Sequence, residues 1–243
     1  MIEPNKKIDD MFENLDLNDK FSKIYQENLF KGRSSRSGEG SDLIQTAKIR
    51  SELPKIIKEY GIKVFLDAPC GDWYWMKEFD FGTTRYIGLD IVNDLIEKNN
   101  EEFGNKQRIF KKVNLIENYI PKADLIFSRD CLVHLTFYDA LKIIANFKLS
   151  GAKYLLTTTF TNTKQNYELE RENNFWRPLN MELYPFNFPK PILLINENCQ
   201  EEEGKYSDKS LGLWHLKDLK LNYWESNLVK PLIKQIFNKI IRN

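Results

Sequence analysis

Leu66-Asp67-Ala68-Pro69-Cys70-Gly71-Asp72-Trp73 continues an apolar run that begins at Val64, and it is answered downstream by Tyr86-Ile87-Gly88-Leu89-Asp90. The pattern reads as a buried strand ending in a loop of small residues, then a second strand ending in a carboxylate. An α/β protein holds a nucleoside this way: the loop lets backbone approach the ligand, and an acid roughly 20 residues on accepts from the ribose hydroxyls.

Outward from that stretch the βα rhythm repeats. Strands are predicted at 63–67, 85–90, 108–113, 123–128 and 154–159, with helices over 92–102 and 137–149. Such alternation implies a mostly parallel sheet with right-handed crossovers and helices on both faces. After Thr159 the rhythm changes to an aromatic, proline-broken segment around Trp176-Arg177-Pro178-Leu179-Asn180-Met181. Two further strands, 192–196 and 211–216, flank the acidic turn Glu201-Glu202-Glu203-Gly204 and suit an antiparallel hairpin.

Upstream, residues 8–29 alternate apolar and charged positions as one or two short helices would. The segment 31–41 packs glycine, serine and arginine together. It reads either as a flexible linker or, through Lys31, Arg33 and Arg36 beside small residues, as a loop suited to a carboxylate or phosphate. Ser41 is placed to cap a helix through Ala47 and Ile49 that Pro54 interrupts, with a further turn ending at Gly61. In the tail, Leu228, Leu232, Ile233, Ile236, Phe237 and Ile240 fall on one helical stripe ringed by lysines. That helix would dock on the domain, pair with a second copy or lie on a membrane surface. The expected organisation is one domain, with a helical cap and loop (1–62), a core (63–216) and a C-terminal amphipathic helix (217–243).

Composition narrows the partners. With 36 basic against 35 acidic residues in 243, no global field gathers a polyanion, so a nucleic-acid partner is not expected. Cys70, Cys131 and Cys199 show no CxxC spacing and read as reduced thiols of a cytoplasmic protein. No apolar run approaches the ~20 residues needed to span a bilayer, and residues 1–10 lack the apolar core of a signal peptide.

A dinucleotide or a nucleoside triphosphate calls for GxGxxG or GxxxxGK[ST], and neither is present. The first loop offers one glycine, a proline with no N–H, and acids at Asp67 and Asp72 that would repel a pyrophosphate. They suit a ligand with positive charge beside its ribose. S-adenosyl-L-methionine carries both an ammonium and a sulfonium; Gly71 would allow its close approach and Asp90 would accept from both ribose hydroxyls.

From about residue 63 to 216 the sequence resembles the class I S-adenosylmethionine-dependent methyltransferases. LDAPCGD matches that family's first-strand acid and glycine loop, Asp90 its ribose acid, and Asp124-Leu125-Ile126-Phe127-Ser128-Arg129-Asp130 its fourth-strand motif. The resemblance implies a Rossmann-like, seven-stranded, mostly parallel sheet with a final antiparallel hairpin and helices on both faces. Expected cofactor contacts are Asp67, Ala68, Cys70, Gly71, Trp73, Asp90, Ile91, Asn114, Leu115 and Arg129, with Arg33 and Ser37 from the glycine-serine loop. Asn114 stands where the family often has an acid after strand three, and it can still pair with the adenine amino group. More narrowly, LDAPCGDWYWM, RDCLVHL, WRPLNM and DKSLGLW resemble bacterial methyltransferases associated with surface glycan assembly. That likeness implies O-methylation of a sugar or nucleotide-linked sugar for a capsule or other surface polysaccharide. Another small acid or phospho-compound, or a catalytically silent binding partner, stays open.

Catalysis is expected at Arg129-Asp130-Cys131-Leu132-Val133-His134. If the chain is helical from Asp130, then Asp130 and His134 lie one turn apart on one face. A hydroxyl that takes up a methyl group must lose its proton, and a histidine with an ordinary pKa of ~6.5 can receive it. Asp130 would hold the imidazole or touch substrate. The bland alternative is a satisfied, half-buried histidine at a helix start. His215 alternates with core residues on a strand and reads as packing. Trp176, Arg177, Asn180 and Tyr184 supply aromatic faces and polar heads for the acceptor. No residue is assigned to a metal, although Asp130, His134 and another carboxylate have a permissive spacing.

Overall fold

The computed structural model describes residue 12, residues 15–169 and residues 175–220. One sheet contains β1 (Val64–Asp67), β2 (Arg85–Asp90), β3 (Arg108–Lys112), β4 (Leu125–Ser128), β5 (Tyr154–Phe160), β6 (Leu193–Asn196) and β7 (Lys209–His215). Their order across the sheet is β3-β2-β1-β4-β5-β7-β6. β1 to β5 run parallel to one another, whereas β7 runs antiparallel to both β5 and β6. Each strand lies within two residues of the bounds predicted from sequence. The chain travels outward from β1 to β3 and then returns to lay β4 on the other side of β1. The strand order therefore reverses between β1 and β4, which opens a crevice beyond their carboxyl ends.

Alternation along β1 sorts the core. Phe65 belongs to the apolar cluster that contains Ile49, Leu53 and Ile56 of α2 (Ala47–Glu59) and Leu95 and Ile96 of α3 (Asn93–Phe103). Leu66 belongs to the opposite cluster, with Leu141, Ile144 and Phe147 of α4 (Phe137–Leu149). Helices thus cover both faces, and each fully buried Leu, Ile or Phe contributes about 1.5–3 kcal/mol. Thr136 caps α4 by accepting from the Asp139 N–H at 3.1 Å.

The region before β1 departs from expectation. Ser41 closes a 3-10 turn (Glu39–Ser41) instead of capping a helix, and α2 begins at Ala47. Pro54 sits inside α2 and does not end it. The missing N–H costs one helical hydrogen bond, while Leu53 and Ile56 on either side bury completely against the sheet. Upstream, α1 (Leu17–Gln26) is capped by Asp16, which accepts from the Asp19 N–H at 2.8 Å. The predicted C-terminal amphipathic helix (217–243) lies outside the described residues from 221 onward; its first residues form the end of a 3-10 turn (Leu216–Asp218). Among the described residues no helix is long and apolar enough to cross a membrane.

Candidate active site

The carboxyl ends of β1, β2 and β4 border a cavity of about 180 Å³ whose lining includes Asp67, Gly71, Asp90, Asn114, Asp130 and His134. Asp67 ends β1 with 3% of its surface exposed, and the Tyr86 hydroxyl donates to its Oδ2 at 2.6 Å. Burial pushes its carboxyl up to about 8, more than the Tyr86 hydrogen bond and the Arg129 charge pull it down. Gly71 follows in the left-handed region at φ +54°, and a Cβ built there would lie 2.4 Å from Ser37 Oγ. Its N–H donates to Asp90 Oδ2 at 3.1 Å, and the Val92 N–H donates to Asp90 Oδ1 at 3.1 Å. Asp90 therefore ties the first loop to its own, and each oxygen keeps a lone pair for a further donor. Burial also raises the Asp90 carboxyl, against the backbone N–H groups that lower it.

A cap closes this end. Asp72 accepts from Ser35 Oγ at 2.8 Å, from the Arg36 N–H at 2.8 Å and from Ser37 Oγ at 3.3 Å. The Arg36 guanidinium donates to the Tyr25 and Gln26 carbonyls at the end of α1, at 3.0 and 2.9 Å. Through these contacts the 31–41 segment is a latched loop, and α1 presents Leu17, Phe21 and Tyr25 to the cavity with Phe30 beside them.

Beyond β4 lies a buried charge cluster. Arg129 Nε and Nη2 both donate to Glu197 Oε2, at 3.1 and 2.8 Å. Asp130 takes a left-handed φ of +51°, receives Lys209 Nζ at 2.7 Å and sits 3.4 Å from Arg129 Nη1. Its N–H donates to Thr158 Oγ1 at 2.9 Å. Burial opposes ionisation of Asp130, but Lys209 and then Arg129 outweigh it and hold the carboxyl well below its usual range. His134 closes a short 3-10 turn (Leu132–His134), and its Nδ1 is hydrogen-bonded to the Phe175 carbonyl. A carbonyl only accepts, so Nδ1 carries the proton and Nε2 the lone pair. Burial lowers the imidazole pKa, more than the Phe175 carbonyl and Asp130 raise it.

No family model and no curated protein matches the sequence. Solved structures do match the fold. Human N-acetylserotonin methyltransferase in complex with SAM superposes with a TM-score of 0.54 at 11% identity, over 83% of this chain and 60% of that one. For Burkholderia thailandensis 1,6-didemethyltoxoflavin-N1-methyltransferase, with 1,6-didemethyltoxoflavin and S-adenosylhomocysteine bound, the TM-score is 0.54 at 13% identity, over 81% and 85%. The methyltransferase domain of bacterial CtHen1 matches at a TM-score of 0.50 and 13% identity, over 72% of this chain and 98% of that one. This is the class I methyltransferase fold. The chain spans 60% of the length of the human enzyme.

Within that methyltransferase fold, the residues picked from sequence separate cleanly. Asp67, Cys70, Gly71, Trp73, Asp90, Ile91, Asn114, Leu115, Arg129, Ser37, Asp130 and His134 all border the cavity. Ala68 does not: it is wholly buried behind the loop and donates its N–H to Phe127. Arg33 is exposed, and its neighbour Arg36 lines the cavity instead, because the loop turns to bring Ser35, Arg36 and Ser37 onto Asp72.

All four predicted acceptor contacts lie off the cavity. Trp176 packs edge-on against Tyr206 and Phe160, with ring centroids at 4.8 and 5.5 Å. Arg177 is buried and donates to backbone carbonyls. Asn180 spends its amide on Thr163 and Glu182, and Tyr184 is 70% exposed on the surface. The expected helical pairing of Asp130 with His134 also fails. The left-handed Asp130 breaks the turn, so Asp130 is held by Lys209 and His134 by Phe175.

Sequence reading missed Lys209, Glu197 and the cap residues Phe21, Tyr25 and Phe30. Lys209 had a signal, being a charged residue opening the otherwise apolar strand of DKSLGLW. His215 packs beside Tyr154 at 4.8 Å, away from the cavity, as its alternation implied. The three cysteines are free thiols. Among the described residues no group of three or more His, Cys, Asp or Glu side chains is arranged to hold a metal.

The cavity fits the methyl donor on its own chemistry. Asp90 presents a buried carboxyl with spare acceptor capacity for paired hydroxyls, Gly71 lets Ser37 of the cap pack where a Cβ would stand and so brings the cap over the loop, and Ile91, Leu115 and Ile116 offer apolar surface to the cavity with Asn114.

Proposed function

We propose that the chain is an S-adenosyl-L-methionine-dependent O-methyltransferase acting in the cytoplasm on a small polar acceptor, a sugar or nucleotide-linked sugar of a bacterial surface polysaccharide. The observation that carries the donor assignment is the Asp90 carboxyl at the end of β2, bonded to the Gly71 N–H at 3.1 Å across the mouth of a class I methyltransferase fold. Bound there, the donor supplies a methyl group on a sulfonium, open to displacement by an oxygen nucleophile.

Around the acceptor, the residues of this chain have distinct tasks. His134 Nε2, bare of its proton, takes the proton from the acceptor hydroxyl, and a lowered pKa keeps it bare at neutral pH. Asp130, held ionised by Lys209, offers its carboxylate to a further hydroxyl. Phe21, Tyr25 and Phe30 face the same space and suit the C–H face of a pyranose ring. Much of the rate in such a transfer comes from alignment, worth roughly 7–11 kcal/mol by effective-molarity arguments.

A phospho-compound is less well served, since Arg129 is committed to Glu197 and Arg36 to two carbonyls. The names of the human and Burkholderia enzymes both specify small-molecule acceptors, which accords with this reading. The polysaccharide role rests on the likeness of LDAPCGDWYWM, RDCLVHL, WRPLNM and DKSLGLW to glycan-associated methyltransferases.

Two measurements test the proposal. Calorimetry is expected to show binding of S-adenosylmethionine and S-adenosylhomocysteine, and no binding of either at millimolar concentration removes the donor assignment. Methyl transfer to a panel of nucleotide-sugars is expected to fall by roughly 10²–10⁴-fold in His134→Gln. Unchanged turnover across the pH profile would strip His134 of its role as base.

A further inference from the structure

Among the described residues Arg177 is a buried cation with no hydrogen-bonded carboxylate. Glu168, the acid paired with it, is 3.8 Å away and half exposed. Its guanidinium is spent on main-chain oxygens. Nη1 donates to the Val133 carbonyl at 2.9 Å and reaches that of Leu132 at 3.3 Å, Nη2 donates to Leu135 at 2.6 Å, and Nε donates to Tyr167 at 2.8 Å. Three of these carbonyls belong to the turn that carries His134. The Arg177 main-chain N–H adds a fourth tie, donating to the Val133 carbonyl at 3.1 Å. Two residues earlier the Phe175 carbonyl receives the His134 Nδ1 proton. The segment 175–177 therefore grips the histidine turn by its backbone and the imidazole by one nitrogen at once.

We propose that Arg177 is a positioning residue for His134: by locking the carbonyls of Leu132, Val133 and Leu135, it fixes the turn so that the Phe175 carbonyl holds the imidazole in the Nδ1–H form with Nε2 bare. The use made of bare Nε2 rests on the reading of His134 as the base; the clamp itself does not. A planar five-donor fork is what this task needs. A lysine keeps the charge but cannot span three carbonyls of one turn. Without the clamp the turn and the 175–177 segment separate, and the free imidazole distributes between its two neutral forms. This role explains why an arginine of WRPLN, which reads as a substrate contact in sequence, is found buried off the cavity.

The chain has only two histidines, so the test is direct. Imidazole nitrogen NMR of the full chain, assigned with His134→Gln, is expected to show His134 as the Nδ1–H form above its pKa. In Arg177→Lys the ratio of the two neutral forms should shift by roughly tenfold toward Nε2–H, the size of one charge-assisted hydrogen bond, with S-adenosylhomocysteine affinity unchanged. An Nε2–H form in the wild type, or an unshifted ratio in an Arg177→Lys protein that still binds S-adenosylhomocysteine, overturns the proposal. If Arg177→Lys does not fold, the wild-type guanidinium decides. A clamped fork gives separate, slowly exchanging Nη signals, and one averaged signal overturns the clamp. If the Nδ1–H form is found and His134→Gln remains fully active, the clamp stands and the base assignment falls.

Discussion

The pH dependence of donor binding is the sharpest consequence of the site. Asp67 is buried at the end of β1 with its carboxyl pushed up to about 8, so in the free protein it is largely protonated at pH 7. Asp67 can serve a cationic ligand group only as the carboxylate, and a neighbouring ammonium draws its pKa down again. Binding should then release close to one proton at pH 7, about 0.9 if the bound carboxyl titrates well below that pH. Apparent affinity for S-adenosylhomocysteine, which carries the ammonium, should rise about tenfold from pH 6 to pH 7. Calorimetry in two buffers of different ionisation enthalpy measures the proton count directly, and Asp67→Asn should abolish both the release and most of the pH slope.

Stability carries the same signature with the sign that a raised acid demands. The folded chain keeps a proton that the unfolded chain gives up near 3.8, so the ligand-free protein should lose stability as pH climbs from about 4 through about 8. A binding constant flat between pH 6 and 7 with no proton release would refute the reasoning.

Two further outcomes are expected. Glu197→Ala removes the two hydrogen bonds of buried Arg129 and leaves Asp130, 3.4 Å away, as its ion-pair partner among the described residues. Because the Arg129–Glu197 pair is 6% and 1% exposed, the loss should be about 3–5 kcal/mol by urea denaturation; a loss under about 1 kcal/mol would mean the pair behaves as a surface one. Asp72→Ala removes the acceptor shared by Ser35, Arg36 and Ser37, so amide exchange across 31–41 should accelerate by roughly 10–100-fold, as expected from losing charge-assisted bonds; unchanged exchange would mean that something else latches the cap.

The strands and the closing antiparallel hairpin were legible because they rest on local facts: apolar runs, a loop of small residues, and acids where strands stop. Helix α2 shows the limit of a local rule, since Pro54 was read as a break while Leu53 and Ile56 bury against the sheet and carry the helix past it. Helical periodicity marked Phe21 and Tyr25 as apolar positions but not the surface they face, which is the cavity. Asp130 was unreadable for a different reason. Its left-handed backbone and its charge are both set by partners distant in sequence, Thr158 on β5 and Lys209 on β7, the latter 79 residues away. No helical register between residues 130 and 134 could have revealed that.

The three acids of the opening stretch show how much a spacing rule can and cannot carry. Sequence alone set Asp67 and Asp72 together as charges that repel a pyrophosphate. In the structure Asp72 is consumed by three donors of the cap, so it shapes access to the site without presenting free charge to a ligand. Asp67 is mostly protonated until a cation arrives, and so it too spares the empty fold a buried charge. Asp90 lines the cavity with acceptor capacity left on both oxygens, and its bonds to Gly71 and Val92 fix where that capacity points. Selection against phosphate is therefore not static repulsion by a pair of carboxylates. On the proposed reading it follows from a loop short of free N–H donors and from an acid that stays largely protonated at pH 7 until a ligand of opposite charge draws its pKa down.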